Sequence, residues 1–253
     1  MTSSLHQANE LLRSHPDLLF RPAAERFHSR HGWLDSWHSF SFAGHFDPRW
    51  QGFGPLLVIN DDIIAAGTGF GLHPHRDMEI ITVMVDGVLT HRDSMGHAEQ
   101  LRAGEVQRMS AGSGIVHSEK NESPEPCRLL QIWITPESTG LTPSYGQKPF
   151  PIGSGWTSLI DPDQLDGAMA ICRQARLWRA QPQPGETLTL PLAAGTHGWI
   201  QIIDGAVDVD MGDPDAPGSG RLRRGDGLGL AAGALHAIKG DAGGADLLLF
   251  ELG

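Results

Sequence analysis

Residues 79–88 read EIITVMVDGV, and residues 198–206 read GWIQIIDGA. Each is an apolar run leading into Asp-Gly, the dipeptide that ends strands because its glycine takes a positive φ without a steric cost. The likeness continues downstream. Gly104-Glu105 precedes Ala111-Gly112 and His117 in the first half, and Gly225-Asp226 precedes Ala232-Gly233 and His236 in the second. Aligning the Asp-Gly pairs sets the copies 118 residues apart and aligning the later glycines sets them 121 apart, so the order and nearly the spacing are kept. A period this long, with strands in both copies, predicts two similar β-domains.

Working outward, short apolar runs recur at 55–59, 62–66, 88–93, 105–109 and 128–135, then at 169–178, 186–192, 206–211, 227–231 and 245–251. The alternating WHSFSF at 37–42 also reads as a strand. Strands this short and closely spaced predict an all-β chain of two antiparallel barrels. The 32 glycines and 17 prolines among 253 residues fit many tight turns and argue against a helical bundle. Residues 136–156, rich in proline and glycine, read as a linker between an N-terminal domain at 1–135 and a C-terminal domain at 157–253. Residues 5–14 show weak helical spacing.

A formal net charge of -11 weighs against direct binding to nucleic acid or an anionic membrane. No stretch approaches the 18 apolar residues of a transmembrane helix, and the N-terminus has no apolar core of a signal peptide. Cys127 and Cys172 are too few for a disulfide framework, so a reduced, cytoplasmic setting is expected and both read as structural thiols.

The 13 histidines are unevenly informative. His73-Pro74-His75 and His117-Ser118-Glu119 are both spaced i, i+2, which in a strand points both side chains to one face. Two such strands can converge on one ion. Three imidazoles and a carboxylate suit a divalent first-row metal such as Fe, Ni, Mn, Cu or Zn and leave positions open for substrate or dioxygen. Glu79, four residues after His75, competes with Glu119 as a ligand or orients an imidazole from behind. The second copy is a control. It has Pro191 and Ala193 opposite His73 and His75, and Ile238 opposite Glu119, so the cluster belongs to one copy and not to the fold. His28, His31, His38 and His45 read as packing groups of the aromatic N-terminal stretch. His91 and His97 flank a turn near the metal mouth, while His197 and His236 read as core or surface. Tyr145 falls in the linker.

Gly67, His73, His75, Glu79 and Gly87 resemble the first conserved motif of cupins, and Gly104, Gly114, His117 and Asn121 resemble the second. More narrowly, RHGWLDSWHSFSFAGHFDP (30–48), GFGLHPHRDMEI (69–80), THRDSMGH (90–97), MSAGSGIVHSEKN (109–121) and LLQIWI (129–134) resemble the pirin family. The seven residues between Glu79 and Gly87, and Gly112 where cupins usually have proline, are departures that pirins share. The resemblance implies a bicupin with one metal in the N-terminal domain, held at His73, His75, His117 and Glu119, and so favours Glu119 over Glu79. It implies iron first among the metals, with Ni, Mn, Cu, Zn or Co as alternatives. It also implies quercetin 2,3-dioxygenase activity on a flavonol and O2, with Glu119 as the general base and Phe, Trp and Met side chains stacking on the flat rings. The alternative it carries is an iron-dependent, redox-sensing regulator that binds a partner protein without turnover.

Overall fold

The computed structural model describes residues 18–213, 215–216 and 218–253. The helical reading of 5–14 lies outside them. The described residues form two antiparallel β-domains without an α-helix, and none of their helical turns is long and apolar enough to cross a membrane.

The first domain packs a seven-stranded sheet against a four-stranded one. The larger sheet runs, in spatial order, Ser144–Pro149, Glu105–Ser110, Glu79–Asp86, Cys127–Ile134, Leu56–Ile64, Leu34–His38, Phe27–Arg30. The smaller runs Gly69–His75, Ile115–Lys120, Val88–Asp93, Ala98–Arg102. The central strands are apolar at nearly every position because both faces of the large sheet are covered. Ile81, Val83, Leu130 and Ile132 pack with Trp199, Leu248 and Phe250 of the second domain. Met84 and Leu129, of opposite parity, pack inside the first domain with Leu89 and Leu101.

The second domain is one eight-stranded sheet that folds on itself, because its two longest strands, His197–Val209 and Ala237–Leu252, bend at shifts of register. The repeat is visible in the hydrogen bonds. Gly87 N donates to its own Asp86 Oδ1 at 2.9 Å, and Gly205 N to Asp204 Oδ1 at 3.0 Å. Gly104 N donates to Met84 O, as Gly225 N does to Ile202 O. These Asp-Gly pairs do not close hairpins. At Gly87 (φ 75°) the chain passes from the seven-stranded to the four-stranded sheet, and at Gly205 (φ 66°) the strand continues through a corner.

Several elements differ from their reading in sequence. Runs 55–59 and 62–66 form one strand, Leu56–Ile64, because Asn60, Asp61 and Asp62 all find partners within the fold. The WHSFSF strand ends at His38. The run at 169–178 becomes regular only at Ala175, and the run at 186–192 shrinks to Thr187–Thr189. Within 136–156, Ser144–Pro149 is a strand that pairs with Glu105–Ser110 and covers what would be a bare edge. Leu18–Arg21 pairs with Gly227–Ala231, so the start of the described chain completes the second domain's sheet.

Candidate metal centre

Gly69–His75 and Ile115–Lys120 pair antiparallel, with His75 opposite Ile115 and His73 opposite His117. Gly69–His75 is the edge strand of its sheet, where Pro74 can lack an N–H without breaking a ladder. The pairing puts three imidazoles together. Ring centroids lie 4.3 Å apart for His73 and His117, and 4.9 Å for His75 with each of the other two. One ring nitrogen from each lies within 4.8 Å of the others. His73 Nδ1–H donates to Gly71 O at 2.7 Å, and this tautomer leaves Nε2 free for a ligand.

A register shift follows His117, so Glu119 falls opposite Phe70. A Cβ on Gly69 would lie 2.4 Å from Glu119 O, so this approach requires glycine. On its other side, Glu119 is the cross-strand partner of His91. His91, His117 and Glu119 form a second cluster, all buried, with donor atoms within 4.8 Å of one another, and His117 is common to both groups. Asp93 Oδ2 binds both His91 Nε2 (3.2 Å) and His97 Nδ1 (2.8 Å), and Tyr145 stacks on each of the two rings, at 4.7 and 4.6 Å. Sequence placed His91 near the mouth; it is in fact buried beside Glu119. Tyr145 reaches it from the strand hidden in the supposed linker, a position only long-range pairing reveals.

Glu79 joins neither cluster. Asp77 takes a left-handed turn (φ 51°) that breaks the alternation after His75, and Glu79 starts a strand of the other sheet, where Ser110 Oγ donates to it at 2.5 Å. His28 stacks on Trp37 and pairs with Asp35, and His45 bonds Ser29. His197 lies edge-on to Phe53, and His236 O accepts from Leu190 N.

The electrostatics favour a cation. Burial, then the neighbouring imidazoles, pushes the His117 pKa down to about 2, and burial and His73 bring His75 to about 4. Burial, then the Asp62 charge, raises Glu119 to about 7. The imidazoles of His75 and His117 are therefore neutral, with lone pairs available, at ordinary pH. Among the described residues, His117 Nδ1 and Nε2 and Glu119 Oε1 are buried without a hydrogen-bond partner, an arrangement that costs stability unless an ion satisfies it. This donor set fits a divalent transition metal.

The cluster opens on a cavity of about 290 Å³. Trp33, Phe42, Phe70 and Trp133 wall it with aromatic surface, and Ser36, His38, Asn60 and Asp62 form a polar side. His31 and His38, read as packing groups, line it too.

Two antiparallel β-domains, with a histidine cluster in one and none among the described residues of the other, define a bicupin. The family model described as Pirin matches residues 20–134, and that of the quercetinase C-terminal cupin domain matches residues 158–252. The chain belongs to the pirin family. It is 48% identical over 194 residues to a quercetin 2,3-dioxygenase of Escherichia coli (strain K12), covering 76% of this chain and 84% of that one. It is 43% identical over 213 residues to a pirin-like protein of Caulobacter vibrioides, covering 82% and 88%. The structure of the Escherichia coli bacterial pirin YhhW in complex with nickel(II) superposes with a TM-score of 0.85 at 42% identity, covering 93% of this chain and 98% of that one.

Proposed function

We propose that this protein is a metal-dependent dioxygenase that cleaves quercetin-like flavonols with O2, its metal held by His73, His75, His117 and Glu119. The observation that carries the reading is the convergence of three imidazoles, with Glu119 beside them, next to an aromatic-walled cavity. When bound, a divalent metal supplies a Lewis-acidic position that lowers the pKa of a substrate hydroxyl. The aromatic walls formed by Trp33, Phe42, Phe70 and Trp133 stack on flat rings and exclude water. Glu119, with its pKa near 7, is suited to take the hydroxyl proton at its carboxylate. The names of the relatives support the activity, and the nickel complex of YhhW supports a divalent ion. The preference for iron rests on the family resemblance.

Protein purified without chelators is expected to carry a first-row metal by elemental analysis and to consume oxygen as quercetin absorbance falls. His73→Ala is expected to lose metal and turnover together. If quercetin survives protein loaded in turn with Fe, Ni, Mn, Co, Cu and Zn, the enzymatic reading is wrong and the regulator reading takes its place.

A further inference from the structure

The cavity holds a second carboxyl that this reading does not use. Asp62 is 3% exposed and lines the same space as Glu119, His73 and His75. Alternation along Leu56–Ile64 sends Asn60 and Asp62 inward, while Asp61 turns toward the second domain. There Arg128 holds Asp61 through Nε at 2.8 Å and Nη2 at 2.9 Å, with Arg26 at 3.9 Å. Among the described residues Asp62 makes no ion pair, and its hydrogen bond is the one that Ser36 Oγ donates to Oδ1.

That hydrogen bond is itself fixed from behind. His38 Nδ1 lies 3.3 Å from Ser36 Oγ and 2.8 Å from Asn60 Oδ1, and His38 Nε2 lies 2.9 Å from Ser29 Oγ. The carboxyl is therefore held in one orientation and has acceptor capacity left over. Asp62 lines the cavity, so a polar group of a molecule held there can reach the carboxyl and take up that capacity. The walls ask for a flat aromatic molecule. A hydroxyl donates to a carboxylate and accepts from a carboxylic acid, so it satisfies Asp62 in either state. An ether only accepts, and a carboxylate ligand is repelled by Asp62 and Glu119 together.

Resting on the functional reading above, we propose that Asp62 is a specificity residue that binds a second hydroxyl of the substrate, beyond the one presented to the histidine cluster. The substrate class is then polyhydroxylated aromatic compounds, in preference to aromatic ethers, aromatic acids or aromatics with a single hydroxyl.

The test is anaerobic titration of the nickel-loaded protein with quercetin and with 3-hydroxyflavone, read by quenching of tryptophan fluorescence. Wild type is expected to bind quercetin about tenfold or more tighter than 3-hydroxyflavone. Asp62→Leu is expected to lose that preference while holding 3-hydroxyflavone about as well as before. Asp62→Asn, whose amide still hydrogen-bonds, is expected to keep part of it, and Ser36→Ala to weaken it. The ratio of the two affinities is the readout, because a merely structural role for Asp62 lowers both alike. A wild type that binds both compounds equally, or an Asp62→Leu variant that keeps the ratio, overturns the Asp62 assignment and leaves the functional reading standing. A wild type that binds neither overturns both.

Discussion

His73 and His117 sit directly opposite one another on paired strands, their ring centroids 4.3 Å apart. Both nitrogens of His117 are buried and unpaired among the described residues, so in the absence of metal this side chain is a burden. His117→Leu removes two unsatisfied polar atoms and is expected to raise the stability of metal-free protein by about 1–3 kcal/mol in urea unfolding. Nickel at about a hundred times its Kd is expected to add about 2.7 kcal/mol to wild type and nothing to the variant. A metal-free variant less stable than wild type would show that the cluster is not a binding site kept at the expense of stability.

Glu119 and Asp62 both have pKa values raised to about 7, chiefly by burial, against ordinary values of 4.5 and 3.8. The folded chain therefore binds more protons than the unfolded one between these limits. The stability the pair contributes is full below about pH 4 and is lost as pH rises through 7. His75 and His117 act oppositely: their depressed values contribute stability that is present above 6.5 and is lost as pH falls toward 4. Glu119→Gln, neutral at every pH, is expected to exceed metal-free wild type in stability at pH 8 and to lose that advantage at pH 5. Denaturant midpoints at the two pH values decide this. Metal binding, which needs the carboxylate, is expected to release a proton at pH 6 and little at pH 8, as calorimetry in buffers of different ionisation enthalpy will read.

The corner at Gly87 is a packing constraint as well as a conformational one. A Cβ there would lie 2.7 Å from Cys127 Cβ and 3.0 Å from Pro126 O, whereas one on Gly67, also at positive φ, meets nothing within 4 Å. Gly67→Ala is expected to cost about 1 kcal/mol, the left-handed backbone alone. Gly87→Ala is expected to cost roughly 2–3 kcal/mol or more, because the corner must also open. Equal losses in urea unfolding would remove the packing argument.

Arg128 ties the domains together. It bonds Asp61 in its own domain, donates to Ile203 O at 2.8 Å and lies 3.5 Å from Asp204 in the other. Arg128→Met leaves Asp61 buried with only Arg26 near it and is expected to cost about 3–5 kcal/mol. Adding Asp61→Asn is expected to recover much of that loss, and a double-mutant cycle measures how much.

The parts of the candidate site that were legible were local. The i, i+2 spacings bring His73 and His75 to His117, and Glu119 to His117, and the missing counterparts at Pro191, Ala193 and Ile238 single out the first copy as the candidate. What was not legible depended on register. Glu79 obeys the same i, i+4 spacing on paper, but a left-handed Asp77 sends it to the other sheet. Asn60-Asp61-Asp62 looked like a break between strands because three polar residues in a row carry no sign that a histidine, an arginine and a serine await them. Tyr145 looked like linker because the strand it pairs with lies some 35 residues away.

By itself the amino-acid sequence determined that there are two β-repeats and that the first has a His/Glu pattern whose counterpart positions in the second are Pro191, Ala193 and Ile238, since apolar alternation and glycine positions are set by neighbouring residues. Tertiary structure decided which carboxyls join that cluster, that His91 reaches Glu119, and that Asp62 faces the cavity. A strand can slide against its neighbour without changing a single local preference, and each one-residue slip exchanges its two faces. Register is fixed only when the sheets close on one another, and the cavity is formed where the two sheets of the first domain meet.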